Sequence, residues 1–528
     1  MIEEIELKLA FAPDDLRRLP RKALLRNLKT GMARKRQLSS TYFDTPSLTL
    51  QRHGMALRVR DNGEGQVQTL KTPLGGVTPR SGRVAANENG LQHKREFEAA
   101  LEGDVPNLDL IEDEELQAFF ASEAVAGELT PIFTTEFARQ AIPLTLADSH
   151  IELALDQGHI CSGALSLPLC EAELELLSGP PARLYELAML LHRETPFRLE
   201  QESKAARGYH LYADTKAHPQ KARKPSLSRE MSVADAFEHL ARGCVAQMRA
   251  NEEPALDGQD PEGLHQMRVA VRRLRALLKV FRPAFAAEPH TYLKEDLRWL
   301  QKELGAARDW DVFQIKTLPP LRRSLPDADD LQGLSEASEA FRREAYQRAR
   351  AAILSQRYTG LLLHLSLWLS EGGWQAGGEA REVGEGPVVP FAQSVLNRRL
   401  KKFRKLGRRY ETLSEPDLHR LRIRGKEVRY AAEFFASLFS AKAAKPYLKR
   451  LEAIQDCLGD FNDAATGRGL VAALESRIAA DGEGRTAGTA HAAGIVLGWQ
   501  AAQMVRGLDS FDSAWAALEN AKVFWRKG

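Results

Sequence analysis

The sequence predicts a two-domain α+β chain: a closed or nearly closed antiparallel β-sheet with a few helices, then an all-α helical bundle. Three observations carry this prediction. At 528 residues and 58.8 kDa the chain exceeds what one hydrophobic core supports. Residues 1–215 alternate apolar and polar side chains in short runs, whereas the remainder is apolar at the 3.6-residue period of a helix. Charge divides at the same place: residues 1–215 hold 24 Lys and Arg against 32 Asp and Glu, and 216–528 hold 50 against 39.

Composition excludes several classes. Hydrophobic residues make up 43% and charged residues 27%, ordinary globular values that rule out wholesale disorder. No run approaches the roughly 20 apolar residues of a membrane-spanning helix. The opening MIEEIELK is acidic and alternating, so no secretory signal is expected. Cys161, Cys170, Cys244 and Cys457 lack CxxC spacing and read as buried thiols, with no disulfide framework or zinc site. The expected address is cytoplasmic.

In chain order, EIELKLAF (4–11), STYFDT (40–45), MALRVR (55–60), VQTLKT (67–72), IELALD (151–156) and CEAELELL (170–177) have the period-2 pattern of half-buried strands. Residues 111–125 and 180–193 have helical spacing. The first strand places Glu4, Glu6 and Lys8 on one face, opposite Ile5, Leu7 and Leu9. Arg58 and Arg60 share a face in the third run, and Glu171, Glu173 and Glu175 share one in the last. A charged face turned to water accounts for any one run. Together they say more, because glutamates two apart repel unless a cation bridges them. Carboxylate oxygens suit hard ions such as Mg²⁺ or Mn²⁺, and arginine forks suit phosphate oxygens. A metal-bound phosphate chain satisfies both walls.

The Glu4-x-Glu6-x-Lys8 start, followed in order by STYFDT, ALRVR, TLK (69–71), HKREFE (93–98), Arg139, IELALDQG, CEAELEL and SKAARGY (203–209), resembles the CYTH domains, the triphosphate tunnel metalloenzymes. The resemblance covers nearly all of residues 1–212. It implies an eight-stranded antiparallel β-barrel whose tunnel binds triphosphate, with Glu4, Glu6 and Lys8 as the catalytic set. Glu4, Glu6, Asp156, Glu171 and Glu173 would hold metal. Lys8, Arg58, Arg60, Lys71, Arg139 and Lys204 would hold phosphate. Glu98 shares a face with Glu96, and Glu175 stands beside Glu173, so either member of each pair fills the corresponding place. Arg34, Arg36 and Arg80 are expected in solvated loops, His53 in a turn without a ligand role, and Tyr42 and Phe43 in barrel packing.

The Lys- and Pro-rich residues 216–228 read as a linker between a first domain, 1–215, and a second, 229–525. Within the second, HQMRVAVRRLRALLKVF (265–281) matches HRLRIRGKEVRYAAEFF (419–435) at an offset of 154 residues. The same offset pairs Gln301 with Gln455, Gly305 with Gly459, Asp309 with Asp463 and Phe237 with Phe391, so a helical unit is duplicated. The repeats span about 229–370 and 388–525, joined by the Gly-rich residues 371–387.

In the first copy the basic residues run one position out of phase with the apolar stripe, so a cationic ridge flanks the buried seam. Eight Lys and Arg within 398–409 add to it. Such density suits a polyanion. Few stacking aromatics and no groove-entering motif argue against nucleic acid. The second half resembles the CHAD domain over roughly 228–520, a family associated with inorganic polyphosphate. The residues this implies are His265, Arg268, Arg272, Arg275, Lys279, His419, Arg422, Lys426 and Arg429, with Gly425 and Glu427 departing from the ridge in the second copy.

The expected function is metal-dependent hydrolysis of inorganic triphosphate, with association to polyphosphate granules implied by the helical half. The alternatives are a non-catalytic polyphosphate-binding or granule-targeting protein, and a tunnel enzyme acting on ATP as a cyclase or on thiamine triphosphate.

Overall fold

The structure is a computed structural model describing residues 2–73, 91–122, 125, 127–285, 291–326, 328–372, 378–481 and 486–526. The chain forms two compact units, residues 1–218 with 354–372, and residues 219–353 with 373–528. Among the described residues no helix is long and apolar enough to cross a membrane.

The first unit is built on nine antiparallel strands: β1 (Ile2–Ala10), β2 (Arg34–Asp44), β3 (Ala56–Asp61), β4 (Gln66–Thr72), β5 (Leu91–Leu101), β6 (Thr130–Leu146), β7 (Ser149–Ser162), β8 (Leu165–Ser178) and β9 (Arg198–Glu200). Their order is β5-β4-β3-β2-β6-β7-β8-β1-β9. The first half of β1 also pairs with β5, Ile2 opposite Glu96 through Leu7 opposite Leu91, so the sheet curls into a barrel-like wall. The short β9 pairs with Lys8–Ala10 at the other end of β1. The six alternating runs all fall in strands. The runs did not reveal β6, because TPIFTTEFARQAIPLTL buries residues on both faces and loses the simple alternation.

Helices α1 (Pro13–Arg18), α2 (Ala23–Leu28), α3 (Thr49–Arg52), α4 (Glu114–Phe120), α5 (Ala182–Glu194) and α6 (Lys204–Tyr212) join and cover the strands. Buried Asp44, at the end of β2, accepts the backbone N–H groups of Leu50 and Gln51 at 2.8 and 2.9 Å and the Tyr209 hydroxyl at 3.0 Å. One carboxylate thereby ties α3 and α6 to the strand. Ser203 caps α6 by accepting from the Ala206 N–H at 3.1 Å, which sets where Lys204 enters the fold.

The chain continues through α7 (Val233–Arg249), α8 (Glu252–Asp257), α9 (Pro261–Val280), α10 (Thr291–Val312), α11 (Leu318–Ser324), α12 (Asp329–Ile353), α13 (Gln356–Glu371), α14 (Gly378–Glu385), α15 (Val388–Gly407), α16 (Glu415–Phe435), α17 (Ala441–Asp481) and α18 (Thr486–Glu519). The duplication is visible in side-chain contacts. Phe281 lies 5.5 Å from Phe237, 5.2 Å from Phe391 and 5.7 Å from Phe435 between ring centroids, so two repeat-related pairs build one aromatic cluster. Arg275 donates to Gln301, and its counterpart Arg429 donates to Gln455 at 3.2 Å. The Gly-rich connector is not all loop: α14 forms within it, and residues 373–377 lie outside the described part.

Helix α13 lies within the first repeat by sequence, yet it groups with the first unit. It packs on α5, and its Thr359 Oγ1 and Gln356 Nε2 donate to the Phe197 carbonyl at 3.2 and 3.3 Å. Its apolar side chains are buried on several faces, and such a helix does not declare its partner in a periodicity reading.

Candidate functional site

Strand register decides which charges meet. Directly paired residues of neighbouring strands share a face. Lys8 lies opposite Glu173, Glu6 opposite Glu175 and Ala10 opposite Glu171. Asp156 lies between Glu171 on one side and Arg139 on the other. Lys71 lies opposite Glu96, and Thr69 opposite both Arg58 and Glu98. One face of the curled sheet thus carries the acids of β1, β5, β7 and β8 and the bases of β1, β3, β4 and β6.

These groups interlock. Lys8 Nζ is 2.7 Å from Glu6 and also bonds Glu173. Arg139 grips Asp156 through Nε and Nη2 at 2.7 and 2.6 Å and bonds Glu173 as well. Lys204 reaches Glu171, Asp156 and Glu173 at 2.5, 2.7 and 2.8 Å. Lys71 pairs with Glu4 at 2.5 Å and with Glu96 at 3.5 Å, and Arg58 lies 3.6 Å from Glu96. Glu6, Lys8, Arg58, Asp156, Glu171, Glu173 and Lys204 are all under a tenth exposed. Each such ion forfeits several kcal/mol of hydration unless paired, which is why acids and bases alternate.

The electrostatics follow from this packing. Burial pushes the Glu173 carboxyl up, but Lys204, Lys8 and Arg139 outweigh it and hold the group well below the usual carboxylate range. Burial likewise opposes the charge on Lys8, and Glu173, Glu6 and Glu171 reverse the effect and raise its pKa. Arg60 is the contrast: burial and the neighbouring Arg58 push it down to about 9. Glu175 is pushed up to about 7 by burial, then by Glu4, Glu152 and Glu6.

Asp156, Glu171 and Glu173 each offer a carboxylate oxygen, all within 4.8 Å of one another, a hard donor set that fits a divalent cation. Glu4 and Glu6 fall outside that trio but border it: Lys8 bonds both Glu6 and Glu173, and Glu4 pairs with Lys71. Glu96 joins the face, while Glu98 is exposed and accepts from Thr69 Oγ1 at 3.3 Å.

One sequence expectation needs correction, and others can be placed. Arg34 and Arg36 lie on β2 rather than in a loop, because the strand starts before its apolar alternation does; both are exposed, and Arg36 pairs with Glu64 at 3.2 Å. Arg80 lies outside the described residues. His53 caps α3, its Nδ1 2.7 Å from the Thr49 carbonyl, and Tyr42 stacks on Phe133 at 4.5 Å. Phe43 packs on the opposite face with Leu57 and Leu70. Sequence reasoning missed Glu152, which faces Glu175, and Arg207, which bonds Glu171. Both had a signal: Glu152 has the strand parity of Asp156, and Arg207 stands one helical turn from Lys204.

In the second unit, α9 and α16 bring Arg268, Arg272, Arg422 and Lys426 together. Burial, then Arg422, Arg272 and Arg268, push Lys426 down to about 7. His265 is pushed to about 4 by burial and the nearby Arg308. Arg268 lies 3.4 Å from Asp309, and the Arg272 guanidinium lies over the Tyr430 ring at 6.0 Å. The rest of the predicted ridge is peripheral. Arg275 is held by Gln301, Arg429 by Glu433 at 2.7 Å and Gln455, His419 is exposed, and Lys279 is exposed beside Glu427 at 3.9 Å. Gly425 of the second copy is buried, and Glu427 accepts from Arg424 at 2.9 Å.

The CYTH domain profile matches residues 3–209 and the CHAD domain profile matches residues 239–472. A crystal structure of the CHAD domain from the plant Ricinus communis is 32% identical, covering 58% of this chain and 99% of that one, with a TM-score of 0.51. The chain carries a CYTH domain and a CHAD domain. Among curated proteins, the CYTH–CHAD chain is 33% identical to an inorganic triphosphatase of Haemophilus influenzae over 217 residues, 40% of this chain and 55% of that protein. It is 27% identical over 215 residues to an uncharacterised protein of Mycobacterium tuberculosis, 39% of each chain. The chain spans about half the length of the first of these relatives and less of the second.

Proposed function

We propose that the CYTH unit hydrolyses inorganic triphosphate to pyrophosphate and phosphate in a metal-dependent reaction, and that the CHAD unit binds inorganic polyphosphate. The observation that carries this reading is the alternation of buried carboxylates and cations on one face of the curled sheet. A metal-bound phosphate chain offers oxygens to the cations and a cation to the carboxylates, and so can replace the internal ion pairs of both walls. The inorganic triphosphatase of Haemophilus influenzae supports the same substrate class.

Asp156, Glu171 and Glu173, with Glu4 and Glu6 nearby, would hold Mg²⁺ or Mn²⁺. When bound, the ion supplies neutralisation of phosphate charge. The chain's own groups do the rest. Lys8, Lys71, Arg58, Arg60, Arg139 and Lys204 orient the three phosphoryl groups and stabilise charge moving onto the leaving pyrophosphate. Water forms the new P–O bond as the bridging P–O bond breaks, and its proton passes to a carboxylate or to solvent. The clustered cations of α9 and α16 suit a repeating phosphate chain without bases to read.

The test is turnover of tripolyphosphate, ATP and thiamine triphosphate by the full chain with Mg²⁺ or Mn²⁺. Tripolyphosphate is expected to be the fastest substrate. Faster ATP turnover, or cyclic AMP as product, overturns the reading, and tight polyphosphate binding without hydrolysis replaces it with a binding function.

A further inference from the structure

On the charged face, five of the six expected phosphate cations have a carboxylate within 4 Å: Lys8, Arg58, Lys71, Arg139 and Lys204. Among the described residues Arg60 has none. Its Nε donates to Ser40 Oγ at 3.1 Å; the cations Arg58 and Arg139 press on its charge, and the Glu173 carboxylate, not within ion-pair distance, offsets them only in part. An anion at Arg60 therefore displaces no internal carboxylate, whereas one at Lys204 competes with three.

The surroundings of Arg60 are polar without being satisfied. Ser40 lies opposite Arg60 on β3 and opposite Thr135 on β6, so the three side chains share the face. Ser40 is 1% and Thr135 0% exposed, and among the described residues Thr135 Oγ1 has no hydrogen-bond partner. The buried Nε of Arg58 also lacks one among the described residues. A buried hydroxyl left without a partner is destabilising, and a valine of the same shape avoids that penalty. Beyond this polar pocket the face turns apolar: Tyr42, Phe133, Ile160 and Tyr209 form one buried cluster, with Phe133 and Tyr209 edge to face at 5.3 Å.

We infer that Ser40 and Thr135, neither of them matched to a role in the sequence, complete with Arg60 a pocket for one terminal phosphoryl group, bounded by the Tyr42–Phe133 stack. Ser40 orients the guanidinium, and Thr135 donates its hydroxyl to a phosphate oxygen. The pocket suits a chain end, because the buried aromatic cluster lies beside it on the same face. This rests on the triphosphatase reading and goes beyond it by naming the groups that hold one end of the substrate.

The test compares wild type, Thr135→Val and Thr135→Ser in the full chain, measuring steady-state tripolyphosphate hydrolysis and thermal unfolding without ligand. Thr135→Val is expected to raise KM about tenfold, the worth of one hydrogen bond to a charged group, with kcat within about twofold. Its Tm should stay level or rise, and Thr135→Ser should restore KM. An unchanged KM overturns the pocket; so does a Tm lowered by several degrees, which marks the hydroxyl as structural. If wild type shows no turnover, the triphosphatase reading fails separately. Calorimetric affinity for tripolyphosphate then decides the pocket, with weaker binding by Thr135→Val supporting it and equal binding overturning it.

Discussion

Glu173 is bonded by Lys8, Arg139 and Lys204 at once, and Glu6 shares Lys8 with it. Such an arrangement tolerates loss of one charge structurally better than functionally, because the remaining partners still satisfy the lysine. Glu6→Gln should therefore cut triphosphate turnover by about 100-fold or more, the scale of losing one preorganised electrostatic group. Circular dichroism and Tm should remain close to wild type, since Lys8 keeps Glu173. Retained activity would remove Glu6 from the site. At this scale much was legible in advance: strand parity alone put Glu4, Glu6 and Lys8 on one face, and Glu171 and Glu173 on another. What parity hides is which faces meet. The split between the Asp156–Glu171–Glu173 trio and the Glu4–Glu6 pair needs the register of β1 against β8, which no single strand encodes.

Helix α6 reaches the charged face because Gly208 lets it lie against the Phe133 ring; a Cβ there would enter the ring's van der Waals surface. Gly208→Ala should shift the helix, cost about 1–3 kcal/mol as overpacking, and lower activity by displacing Lys204. Denaturant melts alongside turnover check this, and unchanged values for both would show that the contact relaxes freely. Helix α13 teaches a different lesson. Its apolar residues are plain in the sequence, yet nothing local says that they cover α5 of the first unit. Residues 1–218 made alone should melt lower than the same residues fused to 354–372, because α5 then loses the helix packed on it. Equal melting temperatures would make α13 dispensable to that unit.

Over the whole molecule the two halves carry opposite net charge, and this was legible from composition before any element was placed. The repeat was legible too, because its offset preserves Phe237/Phe391, which both pack on Phe281, and Gln301/Gln455, which each hold a ridge arginine. The unequal use of the ridge was not, since burial decides it: His265 is partly covered, while His419 is exposed. Lys426 offers a measurable consequence. Its pKa of about 7 lies below the usual 10.5, so between those values the folded chain binds fewer protons than the unfolded one and stability rises with pH. Bound polyphosphate would restore the proton. Polyphosphate binding at pH 8 should therefore take up protons, and affinity should fall from pH 7 to 9. Calorimetry in buffers of different ionisation enthalpy reads this directly, and Lys426→Met should flatten the dependence. Binding without proton uptake would place the chain elsewhere.

The central claim is that buried carboxylates and cations on one face of the curled sheet hold a metal-bound triphosphate for attack by water. Phosphorus NMR of tripolyphosphate mixed with the full chain and Mg²⁺ tests it most directly. Pyrophosphate and phosphate should appear in equal amounts, and their release should stop when the metal is chelated. An unchanged tripolyphosphate spectrum, or cleavage that continues at the same rate in excess chelator, would contradict it.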